Sequence, residues 1–319
     1  MEPVVDTEAA NGTPSVWLVI VLYDSYADTA DCLASLRAAT YPNSRTVLVD
    51  NGSGDGSGER LKPEFPEVIH LRSDVNLGFA GGCNLGIRAA LAGGADYVCL
   101  LNNDTLVEPG FLEPLVNRAE AMPGAGIFGG KIFYADPADR LWFAGGRIDR
   151  RRGLTAHIGQ DLPDSTAFDR PGKVDYITGC LLLAPASLYE RLGLLDERFF
   201  MYAEEVDFCL RARRAGYGCY YEPASVIRHR VSRSMGGAYR PLYSYYQVRN
   251  LLEAYRQHLG SGRLSLPMLR LAWHLAGYQG YIALRAHRGA AGPYLAALFT
   301  GWLDFLRGRF GPNPHRWQE

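Results

Sequence analysis

Four carboxylates and one histidine stand where a sheet enzyme would need them. Asp50 and Asp104 each follow an apolar run, Thr46-Val47-Leu48-Val49 and Tyr97-Val98-Cys99-Leu100-Leu101; Glu204-Glu205 opens a stretch of helical character, and His229 ends the run from Ala224. In open α/β sheets ligands sit at the carboxyl ends of the strands. Asp104 could hold a divalent cation that also binds phosphates, because magnesium sites use one or two carboxylates and leave the other positions to water and substrate. Imidazole makes His229 a second ligand, most naturally for Mn2+ or Mg2+. Asp50 could accept from a base N–H or a ribose hydroxyl, and Glu204 or Glu205 could take a proton from a hydroxyl nucleophile. Plainer readings stand beside these: a turn or cap for Asn102-Asn103-Asp104, favourable charge at a helix start for the glutamates, and a satisfied core residue for His229.

These residues need a scaffold, and the chain reads as one of alternating strand and helix. Val16 to Tyr23, Thr46 to Asp50, Val68 to Leu71 and Tyr97 to Leu101 are expected strands, with helices over Asp28 to Ala39 and about Gly110 to Ala121, and one into which Asn76 to Asn84 leads and which reaches about Leu91. Apolar runs of this kind suit strands covered on both faces, and short alternation suits parallel right-handed crossovers. Further strands are expected at Gly126 to Tyr134, Leu141 to Ile148, Val174 to Leu183 and Ala224 to His229, with a long surface excursion from Asp149 to Lys173. The spaced glycines from Gly52 to Gly58 do not make a dinucleotide fingerprint, which must follow the first strand and open directly into a helix. They read as a flexible turn behind Asp50. The division expected is a disordered 1–15, a catalytic unit over 16–240 and a helical region over 241–319.

Composition narrows the class. The chain has 319 residues, a net charge of −1 and 21% charged residues, a balance that argues against nucleic acid as partner. Its 6 cysteines lack metal or redox spacing, and no signal segment precedes the first strand, so a cytoplasmic protein is expected. Leu271, Leu275, Tyr278 and Ile282, and likewise Leu295, Leu298, Trp302 and Phe305, form apolar stripes at helical spacing. Pro267, Arg270 and His274 interrupt any membrane span. The stripes read either as packing or homodimer faces, or as basic amphipathic helices in peripheral contact with the inner face of the plasma membrane through Arg270, Arg285 and Arg288.

Six ordered stretches carry a family resemblance: Val19 to Ser25, Val49-Asp50-Asn51-Gly52-Ser53, Asn76-Leu77-Gly78-Phe79-Ala80-Gly81-Gly82-Cys83-Asn84, Leu100 to Thr105, Thr178-Gly179-Cys180-Leu181-Leu182, and Asp196-Glu197-Arg198-Phe199-Phe200-Met201-Tyr202. Together with Tyr245-Tyr246-Gln247-Val248-Arg249-Asn250, the sequence resembles family 2 glycosyltransferases of the GT-A fold, and within them bacterial rhamnosyltransferase-like enzymes. The resemblance implies an α/β, Rossmann-like, mostly parallel sheet flanked by helices, with a C-terminal helical extension. It implies that Tyr23 and Asp50 contact the base and ribose of a nucleoside diphosphate sugar, with Asn76, Asn84 and Asn102 lining the donor pocket. Asp104 and His229 would hold Mg2+ or Mn2+, and Glu205, preceded by Glu204, would be the catalytic base. The implied reaction is inverting transfer to a carbohydrate or lipid-linked acceptor, with a dTDP- or UDP-sugar, dTDP-rhamnose first, as donor. Two positions depart from the family pattern: Asn103 replaces the usual Pro, and Glu205 the usual Asp. A nucleotide-sugar binder without turnover, or a hydrolase, would use the same residues.

Overall fold

The computed structural model describes residues 12–149, 151–152, 154–231, 241–259, 262–286 and 291–314. In chain order the elements are β1 (Val16–Leu22), α1 (Tyr26–Leu36), β2 (Ser44–Asn51), α2 (Ser57–Glu64), β3 (Ile69–Ser73), α3 (Gly78–Ala92), β4 (Tyr97–Leu101), β5 (Thr105–Val107), α4 (Leu112–Ala121), β6 (Gly126–Tyr134), β7 (Leu141–Phe143), β8 (Gly146–Asp149), β9 (Leu154–His157), β10 (Gly172–Val174), β11 (Leu181–Pro185), α5 (Ala186–Leu192), α6 (Glu204–Arg214), β12 (Gly218–His229), α7 (Pro241–Leu259), α8 (Leu266–Ala286) and α9 (Gly292–Arg307). Ten of the strands form one sheet whose main path runs β10-β12-β6-β11-β4-β1-β2-β3.

The half from β4 to β3 is parallel, as its unbroken apolar strands require. β11 then runs antiparallel to β4 and β6, while β12 returns parallel to β6. Leu22 is paired with Asp50 and Val19 with Leu100, so β1, β2 and β4 end side by side. The site therefore opens along one edge.

Helix α3 lies close against this half because its inner face is glycine. A Cβ at Gly82 would stand 2.8 Å from Val21 Cγ1, and one at Gly86 2.3 Å from Val19 Cγ1. On the other half, β12 follows β6 from Gly218 to Glu222, bulges, and resumes at Val226 opposite Lys131. The bulge is seated where Gly130 has no side chain: a Cβ there would meet Ser225 O at 2.4 Å. β12 is thus twice the length expected from Ala224, because Gly218 and Pro223 obscure the reading of its first half.

Other expectations also shift. The turn after Asp50 is ordered: Asp55 accepts from Ser57 N, α2 begins, and Gly58 leaves room for the Asp50 carboxylate. The expected strand from Val174 is regular only from Leu181, since 175–180 cross over as an irregular segment bridged at Tyr176 to Gly146. The excursion over 149–173 is tied down by β8–β9 pairing and by the buried Lys131 ammonium, which binds Asp164 and Asp169. Residues 1–11 of the expected disordered segment lie outside the described residues, and Thr13 to Ser15 are bonded to Asn43, Tyr41 and Asp96.

The C-terminal helices share the core of the sheet unit, through Val248, Leu251, Tyr255, Leu271, Leu275, Leu298 and Phe305. Of the expected stripes, Leu271, Leu275, Leu298 and Phe305 are buried, whereas Tyr278 and Leu295 are exposed. Among the described residues no helix is long and apolar enough to cross a membrane. Arg288 lies outside them.

Candidate active site

Strands β5 and β12 bring the first pair together. They run antiparallel with His229 opposite Thr105, and Arg230 N donates to Asp104 O at 2.9 Å. His229 Nε2 lies 2.9 Å from Asp104 Oδ1, yet that oxygen receives no well-directed hydrogen bond among the described residues. The two groups form a buried ion pair, and with the imidazole neutral the same carboxylate and ring nitrogen could face one cation. A set of one carboxylate and one imidazole would suit Mn2+ or Mg2+. Among the described residues no third His, Cys, Asp or Glu joins them. Burial alone would raise the Asp104 carboxyl, but the adjacent His229 outweighs it and holds the group below the usual range. Burial works against charging His229 too; Cys180 and Asp104 prevail and push it up to about 10. Asn102 Nδ2 lies 3.4 Å from the same imidazole nitrogen, so Asn102 belongs to this corner. Trp142 packs edge-on against His229, with ring centroids 4.4 Å apart. Arg230 fastens the corner to α1 through Asp28 and Asp31.

The two glutamates open α6. Glu204 is buried, Glu205 half-buried, and each has one carboxylate oxygen without a hydrogen-bond partner among the described residues. Burial raises both carboxyls, and their closeness means that the pair resists carrying two negative charges at once. Glu205 lies beside Gly179, where an added Cβ would be 3.8 Å from its own. Tyr202, two residues before the pair, has its hydroxyl raised by burial first and then by neighbouring Tyr243 and the charges of Glu204, Asp104 and Glu205.

The loop carrying Glu204 is strained. Phe200, Tyr202 and Ala203 all have positive φ, at 65°, 67° and 69°, none of them glycine. Phe200, with ψ −63° and Met201 N bonded to Phe199 O at 2.8 Å, makes the rare tight γ-turn. Such backbone persists only where its surroundings impose it. Here α7 does so. Asn250 Nδ2 donates to the carbonyls of Phe199, Met201 and Tyr202 at 2.9, 2.8 and 2.8 Å, and its Oδ1 accepts from Arg249 Nε. Arg249, 1% exposed, donates to Phe199 O and Gly311 O. On the far side Phe200 O enters the start of α3, accepting from Ala80 N, and a Cβ at Gly78 would meet it at 2.3 Å. Sequence reasoning assigned no role to Arg249 or Asn250; the Tyr245 to Asn250 motif was the available signal.

At the other end of the edge, Asp50 is buried, accepts from Ser53 N and pairs with Arg72 at 2.7 Å. Tyr23 is 37% exposed, one residue beyond Leu22, which is paired with Asp50. Asn76 accepts from Asn51 Nδ2 and Gly78 N, fixing the entry to α3. Asn84 does not suit the lining role expected of it. It is 1% exposed, and its amide is occupied by Leu195 N, Leu195 O and Glu197 Oε1, so it clamps α3 to the segment leading toward Phe199.

The sequence matches the family model "Glycosyl transferase family 2" over residues 17–179. It is 30% identical over 291 residues to an N-acetylglucosaminyl-diphospho-decaprenol L-rhamnosyltransferase of Mycobacterium tuberculosis, covering 85% of this chain and 91% of that protein. It is also 33% identical over 211 residues to the galactofuranosyltransferase GlfT1 of the same species, covering 64% of this chain and 66% of that one. In fold it is similar to a Pyrobaculum calidifontis mannosyltransferase solved with GDP-Man and Mn2+, with TM-score 0.58, 16% identity and coverage of 93% and 88%. It is likewise similar to GalNAc-T7 solved with UDP, GalNAc and Mn2+, with TM-score 0.58, 14% identity and coverage of 93% and 57%.

Proposed function

The chain belongs to glycosyl transferase family 2, and on that premise we propose that this glycosyltransferase moves L-rhamnose from dTDP-rhamnose to a hydroxyl of a lipid-linked sugar in glycan assembly, with inversion at the anomeric carbon. The observation that supports the mechanism is the half-buried Glu205, with one carboxylate oxygen free of partners among the described residues, at the start of α6 beside Gly179. Glu205 accepts the acceptor's proton as its oxygen attacks, with Glu204 beside it in the same buried acidic pair. Asp50 and Tyr23 orient the nucleoside, and Asn102 steadies the diphosphate corner. Asp104 and His229 would hold Mn2+ or Mg2+, which when bound supplies positive charge to the leaving diphosphate. One displacement with this arrangement inverts configuration. Six free, buried cysteines suit a cytoplasmic setting.

The donor and acceptor follow the naming of the mycobacterial relative that spans most of the chain. A panel of nucleoside diphosphate sugars, scored by thermal stabilisation with Mn2+ and then by transfer to a polyprenyl-diphosphate-linked N-acetylglucosamine, tests them. Stabilisation and turnover by dTDP-rhamnose are expected; preference for another sugar refutes the donor. Sugar release without acceptor would instead mark a hydrolase, and stabilisation without consumption a binder. Glu205→Gln should abolish transfer while sparing donor binding; undiminished turnover would remove Glu205 from the reaction.

A further inference from the structure

Helix α8 is apolar on two sides, and only one of them is covered. Met268, Leu271, Ala272 and Leu275 face the core. Opposite them, at i, i+3, i+7 and i+18, stand Leu266, Leu269, Trp273 and Leu284, with 61%, 41%, 80% and 57% of their surfaces exposed. The strip continues onto α9, since Leu295 of α9 is 3.7 Å from where a Cβ on Gly280 would be, and Phe299 is 57% exposed. Solvated surfaces rarely keep so continuous an apolar strip without an occupant.

The charges flanking it are of one sign. Between Glu253 and Asp304 the sequence has no Asp or Glu, and its arginines include Arg256, Arg263, Arg270 and Arg285. Arg256 and Arg263 pair with Glu253, whereas Arg270 and Arg285 are exposed beside the strip, Arg285 resting on Tyr281. A second copy docked through this face would set arginines against arginines, with no acid of the 254–303 stretch to answer them. An anionic bilayer surface answers both features, taking the Leu and Trp side chains to the acyl boundary and the guanidinium groups at the phosphates. The helix is too short of apolar character to span, so it would lie flat. We propose that the outward face of α8, with the adjoining turn of α9, seats this protein on an anionic membrane surface. This goes beyond sugar transfer and holds whatever the donor.

The test is flotation of the full chain with phosphatidylcholine vesicles, with and without phosphatidylglycerol. The parent should float with the anionic vesicles, and added salt should release it. Leu266→Ser/Trp273→Ser/Leu284→Ser should weaken partitioning by roughly a hundredfold, given the apolar area withdrawn. Arg270→Glu/Arg285→Glu should weaken it by at least about tenfold on anionic vesicles. Because all these side chains point outward, unfolding midpoint and nucleotide-sugar binding should stay at parental values, which separates this outcome from failure of the catalytic reading. Absence of the parent from the floating fraction would overturn the proposal, as would equal flotation of a folded triple variant. Lipid-free self-association lost in the triple variant would assign the face to a second copy instead.

Discussion

Replacing Asn250 with Ala removes the group that holds three carbonyls of the loop before Glu204. Three non-glycine residues there occupy positive φ, each costing roughly 1 kcal/mol or somewhat more, so the loop stores about 3–5 kcal/mol. The NH2 group shares two hydrogens among the three carbonyls, which at about 1 kcal/mol per hydrogen bond offsets about 2 kcal/mol of that sum. Without them the strained conformation loses its main support, and Ala203 and Tyr202 can relax toward ordinary backbone. Glu205 shifts with them. A displacement of about 1 Å at a reacting group costs on the order of a hundredfold in turnover. The expectation for Asn250→Ala is therefore kcat lower by about a hundredfold, donor KM within about threefold of parent, and Tm lower by roughly 3–5 °C. Initial rates measured well below the variant's Tm, with donor affinity measured separately by calorimetry, read these apart. Adding Ala203→Gly, which accepts φ 69° without penalty, should recover part of kcat. A variant that loses Tm but keeps kcat would refute the argument, because the clamp would then support the fold alone.

Asp104→Asn, which leaves the fold pairing of β5 and β12 in place, should weaken Mn2+-dependent donor binding by at least about tenfold in titration calorimetry; metal-independent affinity in the parent would contradict the ligand assignment. Gly78→Ala should lower stability by about 2 kcal/mol or more, read from urea unfolding, because φ is +73° and the Phe200 carbonyl occupies the added methyl's place. His157, enclosed by Trp142, Phe143 and Tyr176, is lowered by burial to about 4. The unfolded chain takes up that proton first, so stability falls as pH drops from about 6.5 toward 4, by no more than about 1.4 kcal/mol per pH unit. His157→Phe should flatten that slope, and an unchanged slope counts against it. Glu205 must be ionised to act and is raised by burial, so the acid limb of kcat should lie above the ordinary carboxylate range, and a limb within that range counts against the assignment.

The parts legible in sequence were those written in period and position. β1, β2 and β4 announce themselves as apolar runs ending on polar residues, and that ending located Asp50 and Asp104. Glu204 and Glu205 were visible as two acids where a helix start needs fewer. What escaped depends on partners distant in sequence. Nothing in Phe200-Met201-Tyr202-Ala203 signals positive φ, since the cause lies in Asn250. Asn84 shares a motif with Asn76, but the carbonyl of Leu195 claims it. The outward face of α8 was missed because Leu271 and Leu275 already supplied a satisfying stripe, and a helix apolar on two sides hides the second behind the first.

The bulge in β12 sets the phase of everything downstream of it. Three residues, Pro223 to Ser225, separate the pairing of Glu222 with Gly130 from that of Val226 with Lys131. Side chains alternate faces along a strand, so the parity of that insertion decides which side of the sheet His229 meets. Loss of one residue there, if taken up by a one-place slip of Val226 to His229 against β6 and β5 rather than by the bulge itself, would turn the imidazole to the opposite face, away from Asp104. Chain length at this point therefore bears on the position of His229 as directly as the identity of the residue does.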